Sequence, residues 1–324
     1  MRNVLNLRVN IGVSQKVTRP WVVVALALVL LAPGLVVAGA AGPAGEQAQR
    51  GRGGIGTGQR GTGQRGTGQR GTPPTQGQRR GGAFDSGAAS RVQTRSYLFT
   101  ETNETLEYAV FVSSKVKPDA KSPLVIYLHG LGTPPEPFLR RVAGAAQDAG
   151  YIVATPMGYN VQGWYGANGP GGGRGAVRNV GELSEKDVLN VLARMREEFN
   201  IDDRRIYLAG QSMGGAGALF LGVKHRDIWA AVAASAPAIR TAHQNPRDLE
   251  PAAGLPFILI HGDADRAVPV DQTREWAAAM KALTMTYEFV EIRGGTHSDA
   301  LEQGAPLVFK FFNKHVRPES RAAQ

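Results

Sequence analysis

The sequence predicts an α/β domain, a mostly parallel sheet covered by helices on both faces, and three observations predict it. Short, mostly apolar runs alternate with longer helical patterns through residues 95–315; such alternation builds parallel sheets buried on both sides. A serine flanked by glycines, Gly210-Gln211-Ser212-Met213-Gly214, joins one apolar run to one helical run. Further along, an Asp-containing loop and a His-containing loop each follow a later apolar run.

The first two runs, 95–100 and 106–112, alternate in polarity around Thr102-Asn103-Glu104 and read as an antiparallel pair. The runs at 124–129, 151–155, 205–209, 230–235, 257–261 and 287–292 are short and apolar, the pattern of buried strands. Helical patterns occupy 136–149, 184–199, 213–224, 270–283 and a last stretch at 306–315. Ser184 followed by Glu185 and Asp187 reads as a capping residue with early carboxylates, and Asn200, Asp202 and Asp203 read as the connection to the next strand. Residues 158–175, with Trp164, Tyr165 and a glycine cluster, are long and structureless for a compact domain, which marks a binding loop or lid.

Charge divides the chain. The formal net charge of +10 over 324 residues resides entirely in the N-terminal part, because residues 93–324 carry 25 basic and 25 acidic side chains. The domain therefore offers no global attraction for nucleic acid. Arg2, Arg8, Lys16 and Arg19 precede an apolar run at 21–37 and the small-residue site Ala38-Gly39-Ala40. Residues 1–40 thus read as a secretory signal peptide, or as an uncleaved signal anchor, and either places the domain outside the cytoplasm, secreted or periplasmic. Residues 41–92 contain three copies of Gly-Thr-Gly-Gln-Arg at 56–70. Too few apolar groups are present there to offset the entropy of ordering, so this is expected to be a disordered linker. It reads as a spacer, with transient contact to a membrane or cell wall through its arginines as the sharper alternative; aromatic residues that would stack on bases are not interleaved. The sequence has no cysteine, so stability outside the cell rests on the core of domain 93–324.

A glycine-flanked serine between strand and helix projects its hydroxyl from the end of the sheet, with helical N–H groups behind it. Leu128-His129-Gly130-Leu131-Gly132 ends the first core strand, His261-Gly262-Asp263-Ala264-Asp265-Arg266-Ala267-Val268-Pro269 follows a later one, and Gly295-Thr296-His297-Ser298 follows the last. On these motifs the sequence resembles the α/β-hydrolase superfamily. It is most similar to secreted esterases of the polyhydroxybutyrate depolymerase and feruloyl esterase kind, and to the dienelactone hydrolase and prolyl oligopeptidase-like branches. Secreted esterases of the first kind often carry disulfides, and this chain departs from them there.

The resemblance implies a nucleophile, acid and base in the order Ser212, Asp265, His297. A serine hydroxyl needs a base to take its proton, and imidazole titrates where such chemistry runs. The acid would orient that ring and stabilise its charged form. Asp265 is assigned by the resemblance, with Asp263 as the rival, expected instead to satisfy turn N–H groups, and Asp299 as a more distant choice. The N–H groups of Met213 and Leu131 are the expected oxyanion donors. Trp164 and Tyr165 are candidate substrate contacts. His129 and His261 read as structural residues of their loops, while His225, His243 and His315 show no ligand spacing, so neither cofactor nor metal is expected. The implied activity is hydrolysis of a carboxylic ester, in a small molecule or a polymer, through an acyl-enzyme. A peptidase of prolyl oligopeptidase type would use the same residues, and a non-catalytic binding protein on the same fold would have lost one of them.

Overall fold

A computed structural model of the chain describes residues 7–12, 86–169 and 177–319. The apolar run at 21–37, the small-residue site at 38–40 and the pentapeptide repeats lie outside the described residues. The chain runs through β1 (Leu7–Gly12), α1 (Ser86–Ala89), β2 (Gln93–Phe99), β3 (Glu104–Val112), β4 (Ser122–Leu128), α2 (Pro135–Ala149) and β5 (Ile152–Pro156). It continues through α3 (Val180–Glu198), β6 (Ile201–Gln211), α4 (Met213–Lys224), β7 (Val232–Ser235), β8 (Phe257–Gly262), α5 (Asp271–Ala282), β9 (Tyr287–Ile292), α6 (Asp299–Glu302) and α7 (Ala305–Phe312).

The nine strands form one sheet in the order β1-β9-β8-β7-β6-β4-β5-β3-β2. From β5 to β9 the pairings are parallel, and the outer pairings of β1, β2 and β3 are antiparallel. Every residue of β4 is buried. Its alternate side chains enter two separate cores, as the two-residue period of a strand requires: Leu124, Ile126 and Leu128 pack with α3, α4 and α5, while Val125 and Tyr127 pack with α2 and α7. Helix α2 shows how one helix covers one face. Phe138, Leu139, Val142 and Ala146 form its apolar stripe, and Gly150 closes it in the left-handed conformation at φ 84°.

Four departures from the sequence reading stand out. Helix α3 starts at Val180, four residues before Ser184, which is fully buried inside the helix rather than capping it. The Ser184 hydroxyl lies 2.7 Å from the Val180 carbonyl and 2.6 Å from that of Gly158, so it fastens a neighbouring loop to the helix. Strand β6 starts at Ile201, because Ile201 pairs with Ser122 and a register shift before Leu124 absorbs the acidic residues read as a connection. Ordered structure begins before residue 93: Ala88 and Val92 are buried in the core beneath α2. Strand β1 lies in the segment read as the charged start of a leader; its apolar-polar alternation is that of a strand, and it pairs antiparallel with β9.

In an open sheet of this kind, ligands bind beyond the carboxyl ends of the strands, where the strand order reverses. Here the chain leaves β4 towards β5 on one side, while β6 to β9 extend on the other. Leu128 of β4 stands beside Gly210 of β6. The loop after β4 and the turn after β6 therefore emerge side by side.

Candidate active site

Ser212 sits between β6 and α4 with φ 58° and ψ −118°, a conformation that costs a non-glycine residue on the order of 1–3 kcal/mol. The surroundings hold it there. Its N–H donates to the Ser235 carbonyl at 2.9 Å, and its carbonyl accepts from the Ala238 N–H at 3.0 Å. A side chain at Gly214 would run into the Leu128 carbonyl, and one at Gly210 would meet Gly214 itself. The two glycines thus let α4 approach β4 closely enough to turn the serine out of the sheet.

The turn after β8 supplies Asp265. Its Oδ1 accepts the N–H groups of Ala267 at 2.8 Å and Val268 at 2.9 Å, and its Oδ2 accepts a hydrogen bond from His297 Nδ1 at 2.6 Å. The carboxylate side chain is fully buried, and the imidazole is about three-quarters covered, at 25 % exposure. Burial pushes the Asp265 pKa up, but the Val268 N–H, the His297 ring and the Ala267 N–H together outweigh it and hold the carboxyl below its ordinary range. With Nδ1–H committed to a carboxylate, the ring presents Nε2 as its free acceptor. His261 locks the same turn: Nδ1 faces Thr273 Oγ1 at 2.8 Å and Nε2 the Val268 carbonyl at 2.9 Å, and burial lowers its pKa.

The other carboxylates have separate tasks. Asp263 is exposed and accepts the Gly294 N–H at 2.5 Å, tying the turn after β8 to the turn after β9. Asp299 accepts both the N–H and the hydroxyl of Thr296, bracing the loop that carries His297.

Ser212, Met213, Leu131 and His297 line one cleft of about 360 Å³, a volume within the range of small-molecule sites. Met213 is the first residue of α4, so its N–H has no partner within the helix. Among the described residues, neither its N–H nor that of Leu131 is taken by a turn or capping bond. No hydrogen bond joins the Ser212 hydroxyl to His297 among the described residues, a looseness common at such sites before substrate closes them. A larger depression of about 740 Å³, lined by Arg226, Trp229, Pro256 and His315, opens beside the residues that precede β7 and β8, at the opposite ends of those strands. It contains none of the candidate residues.

Trp164 lines the cleft, with the Arg240 guanidinium 4.2 Å from its ring centroid. Tyr165, grouped with Trp164 in the sequence reading, does not reach the cleft. It is fully buried, and its hydroxyl accepts the His129 N–H at 3.2 Å, so its ring fastens the loop after β4 from below. His129 is buried as well, its ring nitrogens 2.9 Å from the carbonyls of Gly130 and Met157, and desolvation lowers its pKa. Residues 170–176 of the glycine cluster lie outside the described residues. Among the described residues, no group of three or more His, Asp or Glu is placed to hold a metal ion.

The same architecture recurs in solved structures. A thermostable esterase aligns with a TM-score of 0.56 at 20% identity, covering 71% of this chain and 64% of that one. An S-formylglutathione hydrolase from Agrobacterium tumefaciens aligns at 0.58 with 16% identity, over 69% of this chain and 95% of the other. The chain has the α/β-hydrolase fold. The family model described as "Serine aminopeptidase, S33" matches residues 119–254, under half of the chain, a span that includes Leu131 and Ser212 and stops before Asp265 and His297. The "Putative esterase NocK" of Nocardia uniformis subsp. tsuyamanensis is 28% identical over 150 residues, 46% of this chain. The match spans 42% of that relative's length, and the alignment to the thermostable esterase also falls short of two-thirds of that chain.

Some cleft residues are not legible in the sequence. Ala238, Ile239 and Arg240, after β7, and Gln272, at the start of α5, line the cleft beside Ser212. The available signal was positional: a segment leaving the carboxyl end of a strand next to the nucleophile's strand must pass the site.

Proposed function

We propose that the protein is an extracytoplasmic serine hydrolase that cleaves carboxylic esters through Ser212, His297 and Asp265. One observation carries this reading: His297, bound by a buried carboxylate at 2.6 Å, shares a cleft with a serine turned out of the sheet on a strained backbone. His297 Nε2 takes the Ser212 proton as Oγ attacks the ester carbonyl, and the Met213 and Leu131 N–H groups receive the oxyanion. The imidazolium, stabilised by Asp265, then protonates the leaving alcohol. Water activated by the same ring hydrolyses the acyl-enzyme and restores Ser212. These steps use the three side chains, two backbone N–H groups and water.

The location outside the cytoplasm rests on the basic start, the apolar run at 21–37 and Ala38-Gly39-Ala40. A fluorophosphonate probe is expected to label the wild-type protein at Ser212, and a Ser212→Ala variant is expected to lose both labelling and p-nitrophenyl butyrate hydrolysis. A folded protein that never reacts at Ser212 would instead be a binding protein on this fold. The match to the serine aminopeptidase model favours one second reading, an exopeptidase. Turnover of aminoacyl p-nitroanilides ahead of matched esters would select it.

A further inference from the structure

The cleft is apolar on most sides. Leu131, which is 53 % exposed, Trp164, Ile239, Val268 and Pro269 give it a hydrophobic wall. Arg240 is the one lining residue with a fixed formal charge. Among the described residues no carboxylate pairs with it, as is also so for Arg194, Arg205 and Arg247, but among these arginines Arg240 alone lines the cleft. The Asp265 carboxylate beyond the cleft wall is already committed to His297 and to two backbone N–H groups.

Arg240 is nevertheless held in place. Its N–H donates to Gln244 Oε1 at 3.2 Å, its carbonyl accepts from the His243 and Gln244 N–H groups at 2.8 Å, and buried Gln244 is itself pinned to the Ala216 carbonyl of α4. The side chain leans on Trp164, which the loop holds in the left-handed conformation at φ 59°. A guanidinium stacked through its face keeps its in-plane N–H donors open, the geometry that receives a carboxylate in two parallel hydrogen bonds. Arg240 is exposed at the rim of the cleft, so the donor geometry rather than a low dielectric carries that attraction.

We propose that Arg240, stacked on Trp164, forms an anion subsite, so that the preferred substrate is an ester bearing a second, free carboxylate on an apolar body. This rests on the ester-hydrolase reading above and adds the substrate class to it. Arg240 here binds and positions substrate, and takes no proton or electron pair in the reaction.

The test uses the full chain and two matched pairs of esters, which place the charge on either side of the scissile bond. Mono-p-nitrophenyl glutarate is compared with p-nitrophenyl pentanoate, and 3-carboxyphenyl butyrate with phenyl butyrate. The wild-type enzyme is expected to favour the charged member of one pair by about tenfold in kcat/KM, as a charge-assisted pair of hydrogen bonds allows. Arg240→Gln is expected to bring that ratio near one mainly through KM, Arg240→Glu to invert it, and Arg240→Lys to keep part of it. Ratios at or below one in both pairs, or a preference untouched by Arg240→Gln, overturn the subsite and leave the ester reading standing. If a folded wild-type protein turns over none of the four esters and resists fluorophosphonate, the ester reading falls and the subsite falls with it.

Discussion

Asp265 serves two groups at once, and that division predicts how its loss behaves. One oxygen holds the Ala267 and Val268 N–H groups and so shapes the turn, and the other holds His297 Nδ1. In Asp265→Asn the amide oxygen can keep the turn while its NH₂ faces the ring. A donor opposite Nδ1 drives the imidazole proton to Nε2, the position that must be empty to accept the Ser212 proton. Turnover of p-nitrophenyl butyrate is expected to fall about 10³–10⁴-fold with circular dichroism unchanged; near-normal turnover would remove Asp265 from the assignment. That Ser212 and His297 meet in one cleft and Asp265 meets His297 was legible in the sequence as an arrangement, because the residue types and their order along the chain suggest it. Arg240 was not, since nothing in its neighbours states that it lies against Trp164. Tyr165 was misread for the converse reason: an aromatic beside a cleft residue in sequence points the other way when both have positive φ, and its ring is buried beneath the cleft.

The loop from Gly158 to Gly169, which carries Trp164, is an element without regular structure beyond a single turn at Trp164–Gly166, and α3 holds it in place. Asp187 of α3 is fully buried, accepting the Tyr97 hydroxyl at 2.6 Å and the Gly158 N–H at 2.6 Å. Desolvation raises its pKa to about 6 against the pull of those hydrogen bonds. An unfolded aspartate titrates near ~3.9. The native state therefore holds the extra proton between about pH 4 and about pH 6, and the stabilisation present below that window is lost as pH rises through it, on the order of 3 kcal/mol. Asp187→Asn is nearly isosteric and has no such titration; its amide oxygen can accept the Gly158 N–H while its NH₂ donates to the Tyr97 hydroxyl oxygen. Its stability relative to wild type is expected to increase by about that amount from pH 4 to pH 7 in urea unfolding, then to level off. A difference that stays flat over that range would mean the carboxyl does not titrate there. This anchor was hidden in the sequence because Ser184 and Asp187 look like the first turn of a helix, where both residue types are common. Only the path of the preceding chain, which starts the helix at Val180, shows that they point inward to the loop.

Across the whole molecule, the cleft gathers residues from loops after six different strands, β4, β5, β6, β7, β8 and β9, at one edge of the sheet. That convergence was legible in outline because parallel strands with intervening helices deliver all their following loops to the same side. Strand β1 was not, since a six-residue alternation inside a basic, apolar segment is outweighed by the stronger pattern of a leader. The charge distribution has a further consequence at this scale. Every candidate site residue lies between 131 and 297 in a domain with 25 charges of each sign, whereas residues 41–80 carry seven arginines against Glu46 alone. Hydrolysis and surface attraction should therefore separate. A chain beginning at residue 81 is expected to match one beginning at residue 41 within about twofold in kcat/KM on p-nitrophenyl butyrate, since no cleft residue is removed. At low salt the longer chain is expected to be retained on vesicles containing anionic lipid and released as salt rises, because each arginine near such a surface contributes about 1 kcal/mol and is screened within a Debye length. Equal retention of the two chains would make residues 41–80 a spacer only, and a large loss of activity in the shorter chain would tie them to the cleft itself.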